Sequence, residues 1–413
     1  MGTDQHSAAR RSKTTKLLRR RVLVILAVIA ALSAWSCKNV VEIREDVRPR
    51  VLRDVPAQNL AYRLETDVSP PTEQNLDESD KFPAVANDFA ARRQDDALIR
   101  TVVSPDNRRV LALYGTEAEP SSVFRIDLYN SDGQFLRNVI PPDLACVFPE
   151  TVAWSPDGTF INFIARKRAT PSPSPTPVDN VPDPTASPVP APSVAPAFAP
   201  VASFNTEQIY ICNRDGYDLK PLTSRDGLIY FYFIWSPDGQ MMAALACKED
   251  EWNERERQYK LPAGRPRLLT PDGKERLLDD GMTEALPVWS PDASKVATAF
   301  DTDVGIYDAL AARPTQARLP LSDALLAASV SYEEKTAAKR VEQPEKKPAP
   351  SPTPTPAQPT TPASFNPIVK LDWSTPERLY IQTAYVRLMP SEAINTFQRW
   401  HLINLSAQAA ILK

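Results

Sequence analysis

Histidine is nearly missing from this sequence: His6 and His401 are the two in 413 residues. That count excludes a histidine-rich zinc site and leaves a Ser-His-Asp triad only His401 to draw on. His401 lies beside Trp400 in a strand-like stretch, where a structural role is the simpler reading. The nucleophile-elbow pattern Gly-x-Ser-x-Gly is also absent, which argues against a serine hydrolase. The four cysteines, Cys37, Cys146, Cys212 and Cys247, include no Cys-x-x-Cys pair, so no redox or metal pattern of that kind is encoded. Cys212 and Cys247 lie in candidate strands, where a disulfide and two separate buried thiols are both open. Asp301-Thr302-Asp303 places two acids at a calcium-like spacing, but Val304-Gly305-Ile306 supplies none of the remaining ligands of a Ca²⁺ loop. No carboxylate pair stands out for glycosidase chemistry. The expectation is a non-enzymatic chain without metal or cofactor.

Glycine is scarce, at 11 residues against 42 prolines. The prolines gather in two tracts, 11 of them in Thr170–Pro200 and nine in Gln343–Pro367. Without those amide donors neither tract can form a ladder, so both read as extended surface excursions of polyproline II character. Net positive charge is lacking outside the first 21 residues. That segment carries seven basic side chains and one acid, a net +6, which leaves −9 on residues 22–413 of a chain whose formal charge is −3. A nucleic-acid partner is therefore not expected.

A hydrophobic run of full membrane-spanning length is not evident either. Val22–Ser36 is uncharged over 15 residues, against the roughly 20 of an ordinary span. With its basic flank it reads as an export signal or an N-terminal anchor, residues 1–21 being a cytoplasmic tail and the remainder lying across the membrane. Three outcomes stay open: an uncleaved anchor, lipidation at Cys37 after the lipobox-like Ala34-Trp35-Ser36, and ordinary cleavage. Residues 37–100 read as a linker with candidate closing strands at Val40–Ile43 and Asn59–Leu64 and a short helix over Phe82–Arg93.

What the sequence does have is a repeat. Trp154-Ser155-Pro156-Asp157-Gly158 returns as Trp235-Ser236-Pro237-Asp238-Gly239 and Trp289-Ser290-Pro291-Asp292-Ala293, with weaker copies at Ser104-Pro105-Asp106 and Trp373-Ser374. The intervals between the serines are 51, 81, 54 and 84 residues. Both long intervals contain a proline tract, and removing about 30 residues for each restores a nearly constant period that suits a four-stranded propeller blade. The motif has a mechanism: proline fixes φ, aspartate accepts backbone hydrogen bonds, and glycine takes the left-handed position after the turn. An apolar strand follows each copy, as in Phe160–Ala165, and the preceding Trp reads as an inter-blade core residue. The expected fold is all-β, a propeller over residues 101–413 interrupted at 170–200 and 343–367. Six blades are expected, with five to seven compatible, the sixth drawing on residues 38–100 and C-terminal strands.

These turns, each followed by an apolar strand and then by an Ile-Tyr-type strand with an Asp-Gly turn, resemble the bacterial TolB-type propeller repeat, also called the WD40-like Pro-Asp repeat. The resemblance covers residues 103–107, 154–158, 235–239, 289–293 and 373–377, and implies an exported, non-catalytic interaction domain. The expected localisation is the cell membrane with the propeller extracytoplasmic, a lipoprotein being the alternative. The expected partners are the bacterial membrane and a protein or the subunits of a membrane complex. A glycan-binding or glycan-cleaving propeller is the competing reading. Clustered acids beside exposed aromatics at a channel mouth would favour it, and Tyr230–Phe233 would serve it only if exposed rather than buried in a strand.

Overall fold

The computed structural model describes residues 51–71, 81–117, 119–168, 201–342, 364–387 and 396–407. The basic tail 1–21, the apolar run 22–36, the lipidation candidate Cys37 and the proline tracts at 170–200 and 343–363 lie outside them. The described strands all belong to one compact unit, Leu52–Lys413.

That unit is a succession of antiparallel sheets, the first four each formed by consecutive strands. Strand β1 (Leu60–Glu65) and helix α1 (Pro83–Arg92) come first. The first sheet is β2 (Ala97–Val103), β3 (Arg109–Gly115), β4 (Arg125–Asn130) and β5 (Phe135–Asn138). The second has its inner strand in two pieces, β6 (Leu144–Val147) and β7 (Ala153–Trp154), followed by β8 (Phe160–Lys167), β9 (Gln208–Asn213) and β10 (Lys220–Pro221). Phe148, at φ 60°, and the 3-10 turn Pro149–Thr151 make the break. The third is β11 (Leu228–Trp235), β12 (Met242–Lys248), β13 (Arg265–Leu269) and β14 (Glu275–Leu277), with helix α2 (Glu249–Arg257) between its second and third strands. The fourth is β15 (Val288–Trp289), β16 (Lys295–Phe300), β17 (Asp303–Asp308) and β18 (Gln316–Pro320), after which comes helix α3 (Ser322–Glu342). The fifth joins β19 (Ser364–Phe365), β20 (Ile368–Thr375), β21 (Arg378–Arg387) and β22 (Thr396–Ala407) to β1, which pairs with β22 from Leu60↔Ala407 to Glu65↔Leu402. The first described strand thus forms the outer edge of the last sheet, the closure expected of a propeller.

Five sheets form among the described residues, where six were expected. Leu60–Glu65 completes the fifth sheet instead of starting another. Pro83–Arg92 is helical because proline suits the first helical turn, and because Val85 and Phe89, four apart, bury one stripe against Val110, Ala112 and Tyr114 of β3. Phe89 lies 5.3 Å from Tyr114, ring centre to ring centre.

Strand alternation supplies the rest of the core. Leu111 and Leu113, on the opposite face of β3, pack with Ile161, Phe163 and Tyr210 of the second sheet. Ile164, Ile209 and Ile211 then meet Tyr230, Phe233 and Met242 of the third. Met241 and Leu268 meet Trp289 and Val296 of the fourth, and Val304 and Ile306 meet Leu371, Ile381 and Ile403 of the fifth. Each such side chain contributes about 1.5–3 kcal/mol by leaving water, and inner strands such as β8 and β12 are buried on both faces because a sheet packs on each side. The aromatic run before Trp235 is part of this core, with Tyr230, Phe231 and Phe233 buried.

Candidate functional site

The recurrent Ser-Pro-Asp turns share one hydrogen-bond pattern. Ser155 Oγ donates to Asp157 Oδ1 at 2.5 Å and accepts from the Phe160 amide at 2.9 Å, while the Thr159 amide donates to Asp157. Ser104–Asp106, Ser236–Asp238 and Ser290–Asp292 repeat the serine-to-aspartate bond at 2.7, 2.7 and 2.6 Å. All four serines are buried. The aspartates are thus occupied in holding turns, and the Ser104 hydroxyl, followed by Arg214, holds the Asp106 carboxyl well below the usual carboxylate range.

Neighbouring turns also touch. A Cβ on Gly158 would lie 3.5 Å from Pro105 Cδ, and one on Gly239 would lie 3.5 Å from Pro156 Cδ. The repeat tryptophans, Trp154, Trp235, Trp289 and Trp373, are each buried at a seam. Trp154 Nε1 donates to Val102 O at 3.1 Å and Trp289 Nε1 to Ile234 O at 3.2 Å, each reaching back one sheet, whereas Trp373 Nε1 bonds Pro376 O within its own turn. Ser374 Oγ donates to Asp372 rather than to a residue after the turn. Pro237 and Pro291 occupy the same turn position as Pro156. The repeated residues therefore build a tight framework at one end of the sheets.

The connections divide by length between the two ends. At the turn end the strands are joined by short links, the longest being Ala309 to Thr315. At the other end lie helix α2, helix α3, the segment joining β1 to β2 with α1, and the points where the chain leaves at Arg168 and returns at Val201. Ion pairs knit this loop end across sheets: Arg168–Glu119 at 2.6 Å, and Arg255 with Glu284.

A cavity of about 490 Å³ opens at the loop end where the second and third sheets meet. Phe148, from the break in the inner strand, and Trp252, from α2, form an aromatic wall with ring centres 5.8 Å apart, backed by Phe231 at 5.5 Å from Trp252. Glu150, Glu207, Glu249 and Glu256 also line it, with Arg166 as the one basic side chain of the lining. Burial pushes the Glu207 carboxyl above its ordinary range, the neighbouring Glu249 charge adds to that effect, and Arg166, 3.5 Å away, opposes it. None of these residues belongs to the repeat. A smaller cavity of about 350 Å³ lies among the third, fourth and fifth sheets, lined by Met282, Thr283, Ala299, Ile368 and Val369.

His401 is buried away from both cavities. Its Nδ1 accepts from the Asp67 amide at 3.3 Å, and its Nε2 lies 3.1 Å from Thr383 Oγ1. Burial, followed by the nearby Arg399 charge, lowers its pKa to about 4. Arg399 holds Asp67 by two bonds of 2.6 and 2.7 Å and reaches Ser329 of α3 at 3.2 Å, so the histidine belongs to a buried structural network. Cys146, Cys212 and Cys247 are free and buried, and burial drives the thiol pKa of Cys212 and Cys247 up to about 12. Asp303 is paired with Arg318 at 3.3 Å, and among the described residues no group of three His, Cys, Asp or Glu side chains could hold a metal ion.

Consecutive four-stranded meanders, a final sheet closed by the first described strand, and apolar seams between successive sheets define this protein as a β-propeller. No protein-family model matches the chain, and no curated protein matches it. Among solved structures it is similar to a protein assigned as TolB from Agrobacterium tumefaciens, at 16% identity and a TM-score of 0.30 over 52% of this chain and 63% of that one. It is similar to hydrazine synthase of Kuenenia stuttgartiensis, at 14% identity and a TM-score of 0.29 over 50% and 51% of the two chains. A protein assigned as dipeptidyl aminopeptidase IV from Bacteroides ovatus matches at 9% identity and a TM-score of 0.34, over 70% of this chain and 34% of that one. The chain thus spans less than two thirds of each of these three. Likenesses this distant add nothing to the fold derived from the sheets themselves.

Proposed function

We propose that this chain is a non-catalytic, extracytoplasmic propeller, held at a bacterial cell membrane by its N-terminal segment, that binds a protein partner or the subunits of a membrane complex through its loop end. The contrast between the two ends carries this reading. Tight turns close one end, whereas the helices and long connections collect at the other, where sequence can vary without disturbing the sheets. The basic flank and apolar run at 10–36 support the tether, with lipidation at Cys37 as the alternative form of it.

The test is gentle extraction of the membrane fraction followed by intact mass, combined with photo-crosslinking from Asn253 on α2 and, separately, from Asp132 in the turn after β4. The expected result is full-length chain, or chain with lipid mass on Cys37, that crosslinks stoichiometrically to a protein from Asn253 and not from Asp132. Recovery in a soluble fraction with no crosslink from Asn253 would overturn the reading. A second reading, glycan binding, draws on the Phe148–Trp252 aromatic wall and predicts saturable binding of neutral oligosaccharides there.

A further inference from the structure

We propose that the cavity between the second and third sheets receives a lysine or arginine side chain presented by the protein partner. This inference rests on the protein-binding reading and names the chemistry of the partner.

The cavity combines room, an aromatic wall and uncompensated negative charge. Its volume of about 490 Å³ lies within the roughly 300–1,000 Å³ of small-ligand sites and is ample for one long side chain. Four carboxylates face one guanidinium in the lining, and the Arg166–Glu207 contact is long, at 3.5 Å. Elsewhere in this protein the half-buried Glu251 and Glu275 are matched, whereas Glu150, Glu249 and Glu256 are exposed at the cavity. Glu251 takes two 2.7 Å bonds from Arg265, and Glu275 pairs with both Arg225 and Arg267. Glu150, Glu249 and Glu256 have no such ion-pair partner among the described residues.

The aromatic wall shows the same vacancy of charge. This protein stacks guanidinium groups on rings in several places, as with Arg137 over Tyr217 at 3.8 Å and Arg93 over Tyr114 at 4.3 Å. Among the described residues Phe148 and Trp252 carry no cation, although carboxylates stand beside them. A cation over such a ring is attracted by its quadrupole, and the attraction grows as the pair is desolvated.

The lining separates a cation from a neutral sugar. A sugar hydroxyl both donates and accepts, so a sugar site supplies both partners. Ser122, Asn205, Thr206 and Asn253 add neutral donors, but four carboxylates against the single Arg166 leave the lining with a net negative charge that a neutral sugar does not offset. An ammonium or guanidinium only donates, and its charge offsets the mutual repulsion of the Glu207 and Glu249 carboxylates.

The test titrates full-length, detergent-solubilised protein carrying ¹⁵N-labelled tryptophan with N-acetyl-arginine amide, N-acetyl-lysine amide, uncharged N-acetyl-glutamine amide and a neutral chito-tetrasaccharide. The expected result is a saturable shift of the Trp252 indole signal with the two cations, at least tenfold weaker in Glu207→Gln/Glu249→Gln and weakened by salt. The glutamine analogue and the sugar should leave it in place. Unfolding of the double variant at the wild-type temperature shows that the charge, and not the fold, was removed. No shift with either cation, or a shift with the sugar alone, overturns the inference. Crosslinking from Asn253 separates the two levels: a partner captured there while the cations fail leaves the protein-binding reading standing, whereas failure of both removes both.

Discussion

The Ala57 amide donates to both carboxylate oxygens of Asp308, at 3.0 and 3.2 Å, joining residues 251 positions apart. Lys295 Nζ completes the arrangement, 3.5 Å from Asp308 and donating to Leu52 O at 3.0 Å and Arg53 O at 3.4 Å. Both charged side chains are 4% exposed. Where the chain enters the propeller it is thus pinned to the turn end of the fourth sheet before β1 completes the fifth.

Asp308→Ala is expected to lower stability by about 3–5 kcal/mol, because it leaves the Lys295 ammonium buried without its counter-charge and the Ala57 amide without an acceptor. Asp308→Asn keeps an acceptor and should cost less. Urea unfolding of the two variants checks this, and equal losses would mean that the charge itself contributes nothing.

The turns supply a second, opposite prediction. Ala293 has φ 58° where the equivalent Gly158 and Gly239 have φ 69°. An L-residue is strained there by roughly 1–2 kcal/mol relative to glycine. Ala293→Gly is therefore expected to stabilise the protein by about 1 kcal/mol. Gly158→Val should destabilise it through the backbone, since a Cβ there meets Pro105 only at ordinary contact distance. Thermal unfolding of both variants measures the pair of signs.

How much of this was legible in the sequence follows from how local each interaction is. The Ser155–Asp157 and Ser236–Asp238 bonds span two residues, so five consecutive letters encode each turn, and the repeat exposes the sheets around it. The helix Pro83–Arg92 is legible in the same way, through Pro83 and the Val85–Phe89 spacing. The partner of Leu60–Glu65 is not, because β22 lies more than 330 residues on and any outer strand of that alternation would pair equally well on paper. The cavity was hidden for a related reason. Phe148 comes from a strand break, Glu207 from the residue before β9, and Trp252 from a nine-residue helix whose one aromatic stands among charged and polar residues. No motif or period connects the three.

The free thiols provide a direct probe of the seams. Cys146 and Cys212 lie at the first seam and Cys247 beside Phe231, all buried with pKa values raised chiefly by burial. The thiolate is the reactive form, so none of the three should react with a maleimide in the native protein at pH 7. All three should react in urea. Native labelling of Cys146 or Cys212, located by mass spectrometry, would show that the first seam opens independently.

The histidine network sets an acid limit on the fold. Burial and Arg399 bring the His401 pKa down to about 4, against about 6.5 in an unfolded chain. Between those values the unfolded state binds the proton that the native state refuses, so native stability falls as pH drops through the window and is complete above pH 6.5. A difference of that size corresponds to about 3 kcal/mol. His401→Gln carries no titrating ring and should flatten this part of the profile, even though it weakens the contacts to Asp67 and Thr383 at every pH. Subtracting its urea-unfolding free energies from those of the wild type at pH 7.5, 6, 5 and 4 isolates the histidine from the carboxylates that titrate alongside it. The difference should shrink steadily towards pH 4. A difference independent of pH would mean that His401 takes up its proton in the folded protein as readily as in the unfolded one.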